Sequence, residues 1–274
     1  MKNKMVRGLV VAGMVSMMLT ACGSKEQADV VQTTDMPVVQ ETDADVNTSI
    51  TEEDAPKAEA VTLTEEDMVV VPIDDTTAML QSYSGEAESI IIPEEINGRK
   101  ITVIGEEAFA NVTQLKSIVI PDTVTEIQSF AFINCDNLDD VVMSKNIEKI
   151  GERAFLGPNC YEINLPDTLK ELGDGAFSNC KFTELIIPRN IKVIPKGTFN
   201  TCKQLQKVII EEGVEVIEKE AFEQCGMLES VTIPASVTEI TKPFHNSDNV
   251  TIYTPAGSYA ETWAAENGVP CVAQ

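Results

Sequence analysis

Seven phenylalanines recur through the C-terminal two thirds of the chain at intervals of 22 or 23 residues. They are Phe109, Phe132, Phe155, Phe177, Phe199, Phe222 and Phe244. A fixed period in this range indicates supersecondary units that stack on one another, since a unit of this size cannot bury its apolar side alone. The spacing therefore predicts a solenoid before any other feature is considered.

Two apolar patterns accompany each phenylalanine. The first is a short alternating segment that often ends in proline, such as Ile118-Val119-Ile120-Pro121. β-branched residues in alternation, ended by a residue that cannot extend a ladder, predict a short strand. The second is a pair of apolar positions such as Val124 and Ile127, which predicts a bend, followed by a convex turn such as Glu107-Ala108-Phe109. Each repeat is thus read as strand, bend and turn.

The segments Leu115-x-x-Ile118-x-Ile120 and Leu228-x-x-Val231-x-Ile233 match the leucine-rich-repeat core L-x-x-L-x-L. With Ile-Pro after the strand, Ala-Phe on the convex side and Asn-Cys beyond it, residues 90 to 271 resemble the BspA-like leucine-rich-repeat family of bacterial surface proteins. The resemblance implies a leucine-rich-repeat solenoid with a short parallel β-sheet on the concave face and short helical or 3-10 turns on the convex face. For function it implies adhesion to proteins of a host or a neighbouring cell.

Open solenoid ends would expose apolar core, so both ends need caps. Met68 to Ile73 and Ala78 to Tyr83 flank a polar turn and predict an N-terminal hairpin. Ser258-Tyr259-Ala260-Glu261 is a capping-box sequence that predicts a C-terminal helix ending near Asn267, before Gly268. We assign residues 67–89 to the N-terminal cap, 90–248 to the repeats and 249–274 to a C-terminal strand and capping helix.

The N-terminus has the pattern of an export signal. Charged residues up to Arg7 precede an apolar run of about a dozen residues, which is too short for a bilayer span of about 20. Leu19-Thr20-Ala21-Cys22 resembles the bacterial lipobox, which implies that residues 1–21 are a signal peptide and that Cys22 is lipidated. An ordinary secretory signal with a chance cysteine is the alternative. Two acyl chains would make a durable anchor, whereas one holds only marginally.

An acidic segment follows the predicted lipidation site. Residues 23–80 contain fifteen Asp or Glu, two Lys and no aromatic residue. Such a segment cannot bury enough apolar surface to offset its conformational entropy, and its like charges extend it. We predict that residues 22–66 are a disordered tether. It would hold the folded part outside the cell, on the outer face of the cell membrane, or on the outer membrane if the organism has two.

The rest of the chain is also acidic, and its charge limits the class of partner. Residues 81–274 carry 29 acidic and 15 basic side chains. Phosphate binding by counterion release requires Lys and Arg, so nucleic acid is an improbable partner. An anionic lipid surface is disfavoured for the same reason, which leaves the lipid anchor as the membrane contact. We expect a monomer whose partner is an extracellular protein or glycan.

Four cysteines follow their repeat phenylalanine by three residues, namely Cys135, Cys180, Cys202 and Cys225. We read them as small buried thiols that fill an interior corner, although disulfides between neighbouring coils stay open in an oxidising compartment. Cys160 departs from the column and is read as core in a locally altered coil. Neither C-x-x-C nor a cysteine cluster with histidine occurs, so no metal or other cofactor is predicted.

The sequence gives little support for catalysis. His245 is the single histidine, and it stands in the degenerate last repeat, where we read it as a polar loop residue. No G-x-S-x-G, H-E-x-x-H or phosphate-binding glycine loop is present. The carboxylates are scattered in solvated positions, unlike the facing pair of a glycosidase. We therefore expect a protein that is not an enzyme.

The concave sheet is the predicted binding face. Alternation sends one residue of each central strand to solvent, which gives the column Ile91, Val119, Val142, Asn164, Ile186, Ile209, Thr232 and Thr251. Beside it runs an acidic strip of Asp139, Asp140, Glu162 and Glu184. A contiguous apolar stripe on a solvent face marks an interaction site, but the same residues are also those that stabilise short strands. The candidate functions are adhesion or recognition, and an envelope scaffold that binds the bacterium's own cell wall.

Overall fold

The computed structural model describes residues 60–274. The predicted signal peptide, the lipidation site Cys22 and the predicted tether up to residue 59 lie outside the described residues. In chain order the elements are β1 (Val61–Thr62), β2 (Met68–Pro72), β3 (Thr77–Tyr83), β4 (Ser89–Ile91), β5 (Glu95–Ile96), β6 (Arg99–Ile104), β7 (Ser117–Val119), β8 (Glu126–Ile127), β9 (Asp140–Val142), β10 (Lys149–Ile150), β11 (Glu171–Leu172), β12 (Glu184–Ile187), β13 (Val193–Ile194), β14 (Lys207–Ile210), β15 (Val216–Ile217), β16 (Ser230–Thr232), β17 (Glu239–Ile240), β18 (Thr251–Thr254), α1 (Tyr259–Asn267) and β19 (Cys271–Ala273).

The first apolar segment of most repeats forms a strand of the concave sheet, and these strands pair in parallel. Their order is β1-β4-β7-β9 and, after an interruption, β12-β14-β16-β18-β19. Equivalent residues of successive repeats lie opposite one another, as Ile118 does to Val141 and Ile186 to Ile209. One parallel strand per coil is the arrangement of a leucine-rich-repeat solenoid, so the predicted fold class is confirmed.

The predicted bend is in fact a second ladder of short parallel strands. It joins β6, β8, β10 and β11 in one sheet and β13, β15 and β17 in another. Val103 lies opposite Glu126, and Val193 lies opposite Val216. Most of these strands are two residues long, which is too short for a period-two pattern to stand out in the sequence.

The core is built around the repeated phenylalanines. Successive rings from Phe109 to Phe244 stack with centroids 4.9–5.9 Å apart. The stack is closed at one end by Tyr83, 5.3 Å from Phe109, and at the other by Trp263, whose edge meets Phe244 at 6.2 Å. Offset stacks of this kind add stability beyond the apolar area that they bury. The 22-residue or 23-residue spacing thus places one ring per coil on a common axis.

The convex segments are turns closed by hydrogen bonds between residues three apart, such as Ala110 N to Glu107 O at 3.0 Å. Backbone bonds between coils join them, as from Phe109 N to Ala131 O at 2.8 Å. Left-handed residues stand at both ends of the turn, for example Glu107 at φ 55° and Asn111 at φ 62°. Residues in this conformation end a helix, so no convex turn in residues 60–274 grows into one.

Both caps are present. β2 and β3 form the predicted antiparallel hairpin, and β3 continues the second ladder by pairing with β6. At the other end the Ser258 hydroxyl accepts a hydrogen bond from Glu261 N at 3.2 Å, and Gly268 ends α1 at φ 68°. A side-chain acceptor at the N-cap and a left-handed glycine after the last turn are the features that the sequence predicted.

The predicted boundary of the tether at residue 66 is wrong. β1 pairs in parallel with β4, and Leu63 is buried in the core. The folded part therefore begins before the hairpin, because β1 covers the open edge of the concave sheet that β4 would otherwise expose. Composition concealed this strand, since its few apolar residues are surrounded by acidic ones.

The concave sheet is interrupted in one coil. The alternation of Ile163-Asn164-Leu165 predicts a strand, but residues 157–170 contain no strand. Within residues 60–274, no residue from 161 to 165 makes a backbone–backbone hydrogen bond. Gly157 takes φ 100° just before Pro158, which has no N–H to donate. The chain therefore re-enters the concave side without joining the ladder, and β9 and β12 are not paired through it.

Candidate binding face on the concave sheet

Side chains of the concave sheet alternate between core and solvent. In β12, Leu185 and Ile187 are buried while Glu184 and Ile186 face solvent. The parallel register aligns such outward positions into one column, which we call the concave column: Ile91, Val119, Val142, Ile186, Ile209, Thr232 and Tyr253. Most members are half-buried, but Ile186 is 57% exposed.

The last position of the concave column differs from the prediction. Thr251 was expected there, but it lies opposite Ser230, and Tyr253 lies opposite Thr232. The buried pair Val231 and Ile252 sets this register, because shifting the strand by one residue would turn Ile252 out of the core. A tyrosine therefore extends the column in place of a threonine.

The acidic strip crosses the interruption. Asp140 begins β9, Glu184 begins β12, and Glu162 lies between them in the unpaired segment. Asp139, Glu162 and Glu184 are exposed. Glu184 pairs with Lys207, whose Nζ is 3.9 Å from a Glu184 oxygen, in an exposed ion pair of the kind that contributes little to stability. Asp139, Glu162 and Glu184 thus place exposed carboxylates at this point of the concave face.

A groove opens at the interruption, between residues 161–165 and β12. Its volume is about 350 Å³, and its lining includes Glu162, Asn164, Glu184 and Ile186 from the predicted site. We call it the β12 groove. Asn164 is exposed here, but it belongs to the unpaired segment and not to a strand of the sheet. The other predicted residues of the concave face lie on paired strands to either side of the groove, except Asp139, which directly precedes β9. They are Val119, Asp140, Val142, Ile209 and Thr232.

The family model described as the BspA type leucine rich repeat region matches residues 81–159 and 130–251, with six copies. Together these ranges cover more than half of the chain. The chain belongs to the BspA-type leucine-rich-repeat family.

Solved structures place this BspA-type protein among bacterial leucine-rich-repeat proteins. A leucine-rich repeat protein from Bacteroides ovatus is 27% identical, with 69% of this chain and 54% of that one covered and a TM-score of 0.62. A leucine rich cell surface protein from Faecalibacterium prausnitzii is 31% identical, with 74% and 55% covered and a TM-score of 0.63. The T. pallidum leucine rich repeat protein, at 19% identity, 77% and 98% coverage and a TM-score of 0.60, shares the fold.

The BspA-type chain spans about half the length of the first two of these proteins. A search of the curated proteins found no match. The similarity therefore establishes family and architecture, while the partner has to be argued from the residues of the concave face.

Five residues that line the β12 groove were not among the predicted site residues, and two of them, Tyr161 and Thr183, are exposed. Tyr161 is 48% exposed at the rim of the groove, and Thr183 precedes β12. The signal that could have found them is the run Gly157-Pro158, since it departs from the residues that turn the other coils. Where the sequence departs from the repeat, the regular pairing between successive coils can be interrupted, and a groove can open between them.

The cysteines of the BspA-type repeats are free and buried. Cys135 Sγ donates to Phe109 O at 3.0 Å, and Cys180, Cys202 and Cys225 repeat this contact with the phenylalanine 25 or 26 residues before them. Burial raises the pKa of Cys135 and Cys225 to about 12. Burial also raises the pKa of Cys160 to about 12, with a further contribution from the carboxylates of Asp140 and Asp139. Such thiols are poor nucleophiles because the reactive thiolate is disfavoured.

His245 lies away from the concave column, in the degenerate last repeat. Its Nδ1 is 2.8 Å from a Glu223 oxygen, and Asn246 is its other partner. The neighbouring Ser247 is buried, and its hydroxyl donates to Phe222 O at 2.7 Å, so it is engaged in the core. Within residues 60–274, no group of three or more His, Cys, Asp or Glu is placed to hold a metal ion, and no helix is long and apolar enough to cross a membrane.

Proposed function

We propose that this protein is a cell-surface recognition or adhesion protein that binds an extracellular protein or glycan through its concave face. The observation that carries the proposal is the exposure of Ile186 in the middle of the concave column. An apolar side chain held in solvent on a rigid sheet, next to a groove and a strip of carboxylates, has the make-up of a binding surface.

The competing explanation is that the β-branched residues of the column only stabilise their strands. It accounts for Ile91, Val119 and Ile209, which are half-buried on strands that pair on both sides. It does not account for Ile186, because β12 has a paired strand on one side and the groove on the other. On the side of the groove no paired strand contacts Ile186, so strand stabilisation does not explain an exposed isoleucine at this position.

We also propose that the protein is located on the outside of the cell, anchored to the membrane. The resemblance to the BspA-like family implies a bacterial surface protein. The similar protein from F. prausnitzii is also a cell surface protein by its name. Residues 1–21 would be removed as a signal peptide, and Cys22 would carry the lipid that holds the protein on the outer face of the membrane. In this role the protein binds and does not catalyse.

Binding assays with residues 23–274 test the proposal. The chain is immobilised and exposed to host-matrix proteins, glycans and surface extracts of neighbouring bacteria, and separately to cell-wall fractions of its own bacterium. Saturable binding to a host or neighbouring-cell component, lost in a Val142→Lys, Ile186→Lys double variant, supports recognition. Binding confined to the bacterium's own cell wall would replace it with the scaffold function.

A further inference from the structure

The β12 groove combines room for a ligand with an unpaired strand edge. Other coils close this region with ladder bonds, such as Ile120 N to Val142 O at 2.9 Å and Ile233 N to Tyr253 O at 2.8 Å. Residues 161–165 form none of the equivalent bonds within the described chain. A parallel sheet normally pairs its internal strands on both sides, so an internal edge left open is a template for another extended chain.

The direction of the backbone groups of β12 shows which atoms are free. Thr183 O accepts from Gln206 N at 2.7 Å and from Lys207 N at 3.2 Å, and Ile187 O accepts from Glu211 N at 3.0 Å. In a parallel strand the N–H and C=O groups of alternate residues point to opposite sides. The backbone groups of Glu184 and Ile186 therefore point away from β14, into the groove, where no backbone partner meets them in residues 60–274.

The charges around this edge select the occupant. Glu162 and Glu184 line the groove, and both carboxylates are exposed. A segment with Lys or Arg complements these carboxylates, and complementary charge also speeds encounter. The acidic N-terminal part of this chain is a poor occupant, because its like charge is repelled.

The side chains on the same edge define the pattern of the occupant. Glu184 and Ile186 are two residues apart and face the same side of β12. A strand laid beside them presents its own alternate residues to that side, so an apolar residue two positions from a Lys or Arg would meet Ile186 and Glu184 together. Tyr161, 48% exposed on the opposite wall, offers a second apolar contact.

We propose that the β12 groove binds an extended basic peptide segment of the partner, which adds as a strand to the free edge of β12. The four residues of β12 set a footprint of about 13 Å, or three to four peptide residues. Backbone hydrogen bonds to Glu184 and Ile186 supply affinity, and a basic residue beside an apolar one supplies specificity. This inference rests on the proposed function in one respect, namely that the concave face is the binding face.

The test uses residues 23–274 and a fluorescent peptide of sequence Thr-Lys-Thr-Val-Thr-Lys-Thr. Its first control is the same peptide with both Lys changed to Glu, and its second carries N-methyl groups on the alternate amides that would face β12. Fluorescence anisotropy gives the affinities, and NMR follows the amide signals of residues 184 and 186. We expect the Lys peptide to shift those two signals, and each control peptide to bind at least about tenfold more weakly.

A pair of variants tests the protein side. Ile186→Pro removes a free N–H without removing a ladder bond, whereas Ile186→Thr keeps the N–H and changes only the side chain. Thermal unfolding first establishes that both variants are folded. Binding of the Lys peptide should fall at least about tenfold more in Ile186→Pro than in Ile186→Thr. A Leu185→Pro variant, in which the lost N–H faces β14, serves as a comparison because it should lose stability.

The outcomes separate this inference from the proposed function. Equal binding of the methylated and unmethylated peptides, or binding that leaves the amide signals of residues 184 and 186 unshifted, overturns strand addition. If partner binding disappears in Val142→Lys, Ile186→Lys but survives in Ile186→Pro, the concave face is the site and strand addition is wrong. If partner binding survives the double Lys variant, the proposed function itself fails.

Discussion

Ile186 and Ile187 are adjacent in β12 but lie in opposite environments. Ile186 is 57% exposed on the concave column, and Ile187 is fully buried in the core. Because side chains of a strand alternate, this single pair fixes the register of β12, and through its neighbours the register of the sheet. The difference makes the two positions a matched pair for experiments.

Lysine substitutions at these two positions should have very different effects on stability. Ile187→Lys buries an unpaired ammonium and should lower the free energy of unfolding by more than about 3 kcal/mol, or prevent folding. Ile186→Lys places its charge in water and should change it by less than about 0.5 kcal/mol. Urea denaturation followed by circular dichroism measures both. Equal destabilisation by the two substitutions would mean that the register of β12 is wrong.

Partner binding should depend on the concave column and not on exposed apolar residues elsewhere. The double variant Val142→Lys, Ile186→Lys should retain its fold and lose binding to the surface component found with residues 23–274, by about a hundredfold or more. Val193→Lys is the matched control, since Val193 is an exposed β-branched residue of the second ladder. Loss of binding in the control alone would move the site off the concave face.

The parts of the fold that follow from local sequence patterns could be predicted from the sequence. The phenylalanine spacing, the alternation in segments such as Leu185-Ile186-Ile187 and the capping box before α1 all gave correct elements. Each rests on a local rule of chain geometry, which a single sequence can display. The second ladder lacked such a signal because its strands are two residues long.

The groove was harder to predict because it depends on the absence of pairing. Ile163-Asn164-Leu165 keeps the alternation of a strand, yet it does not join the ladder. Before it, Gly157 takes a positive φ of 100° and Pro158 has no N–H to donate, so the chain reaches this segment by a different path from that of the other coils. The predicted residues Glu162, Asn164, Glu184 and Ile186 do come together, whereas the open edge behind them became visible only in three dimensions.

The predicted anchor can be tested through Cys22, which lies outside the described residues. Cys22→Ala should yield a protein that incorporates no labelled fatty acid, because the thiol is the predicted site of attachment. The variant should leave the membrane fraction, or stay there only as an uncleaved precursor. The test is metabolic labelling with fractionation, and Cys271→Ala is the control that should keep both label and location. A Cys22→Ala protein that is still acylated contradicts the lipobox interpretation.

The buried thiols should resist alkylation and weaken the fold at high pH. Burial raises the pKa of Cys225 from 9.0 to about 12, so the native thiol stays neutral where an unfolded one ionises. Its contribution to stability is full below pH 9.0 and is lost as the pH rises from there towards about 12. At about pH 8, iodoacetamide should label the half-buried Cys271 before Cys135, Cys180, Cys202 or Cys225. Disulfides between neighbouring coils in the purified protein would contradict this prediction.

The last coil supplies a natural model for replacing a cysteine of the ladder. Ser247 stands one repeat beyond Cys225, where its hydroxyl donates to Phe222 O at 2.7 Å and accepts from Cys225 N at 2.9 Å. Cys225 donates its thiol to Phe199 O at 3.2 Å in the same way. A serine at position 225 therefore finds a carbonyl acceptor in place, and Cys202 N is the matching donor by analogy.

We therefore expect Cys225→Ser to change the free energy of unfolding by less than about 1 kcal/mol, despite the burial of a hydroxyl. Cys225→Ala should lower it by about 1–3 kcal/mol, because it removes the bond to Phe199 O and leaves a small cavity. Urea denaturation at neutral pH compares the two variants with the parent protein. At pH above 9.0 the serine variant should lose less stability than the parent, since one ionisable buried group is gone. If alanine is tolerated better than serine, the hydrogen-bonded ladder does not stabilise the fold and the cysteines act by filling space alone.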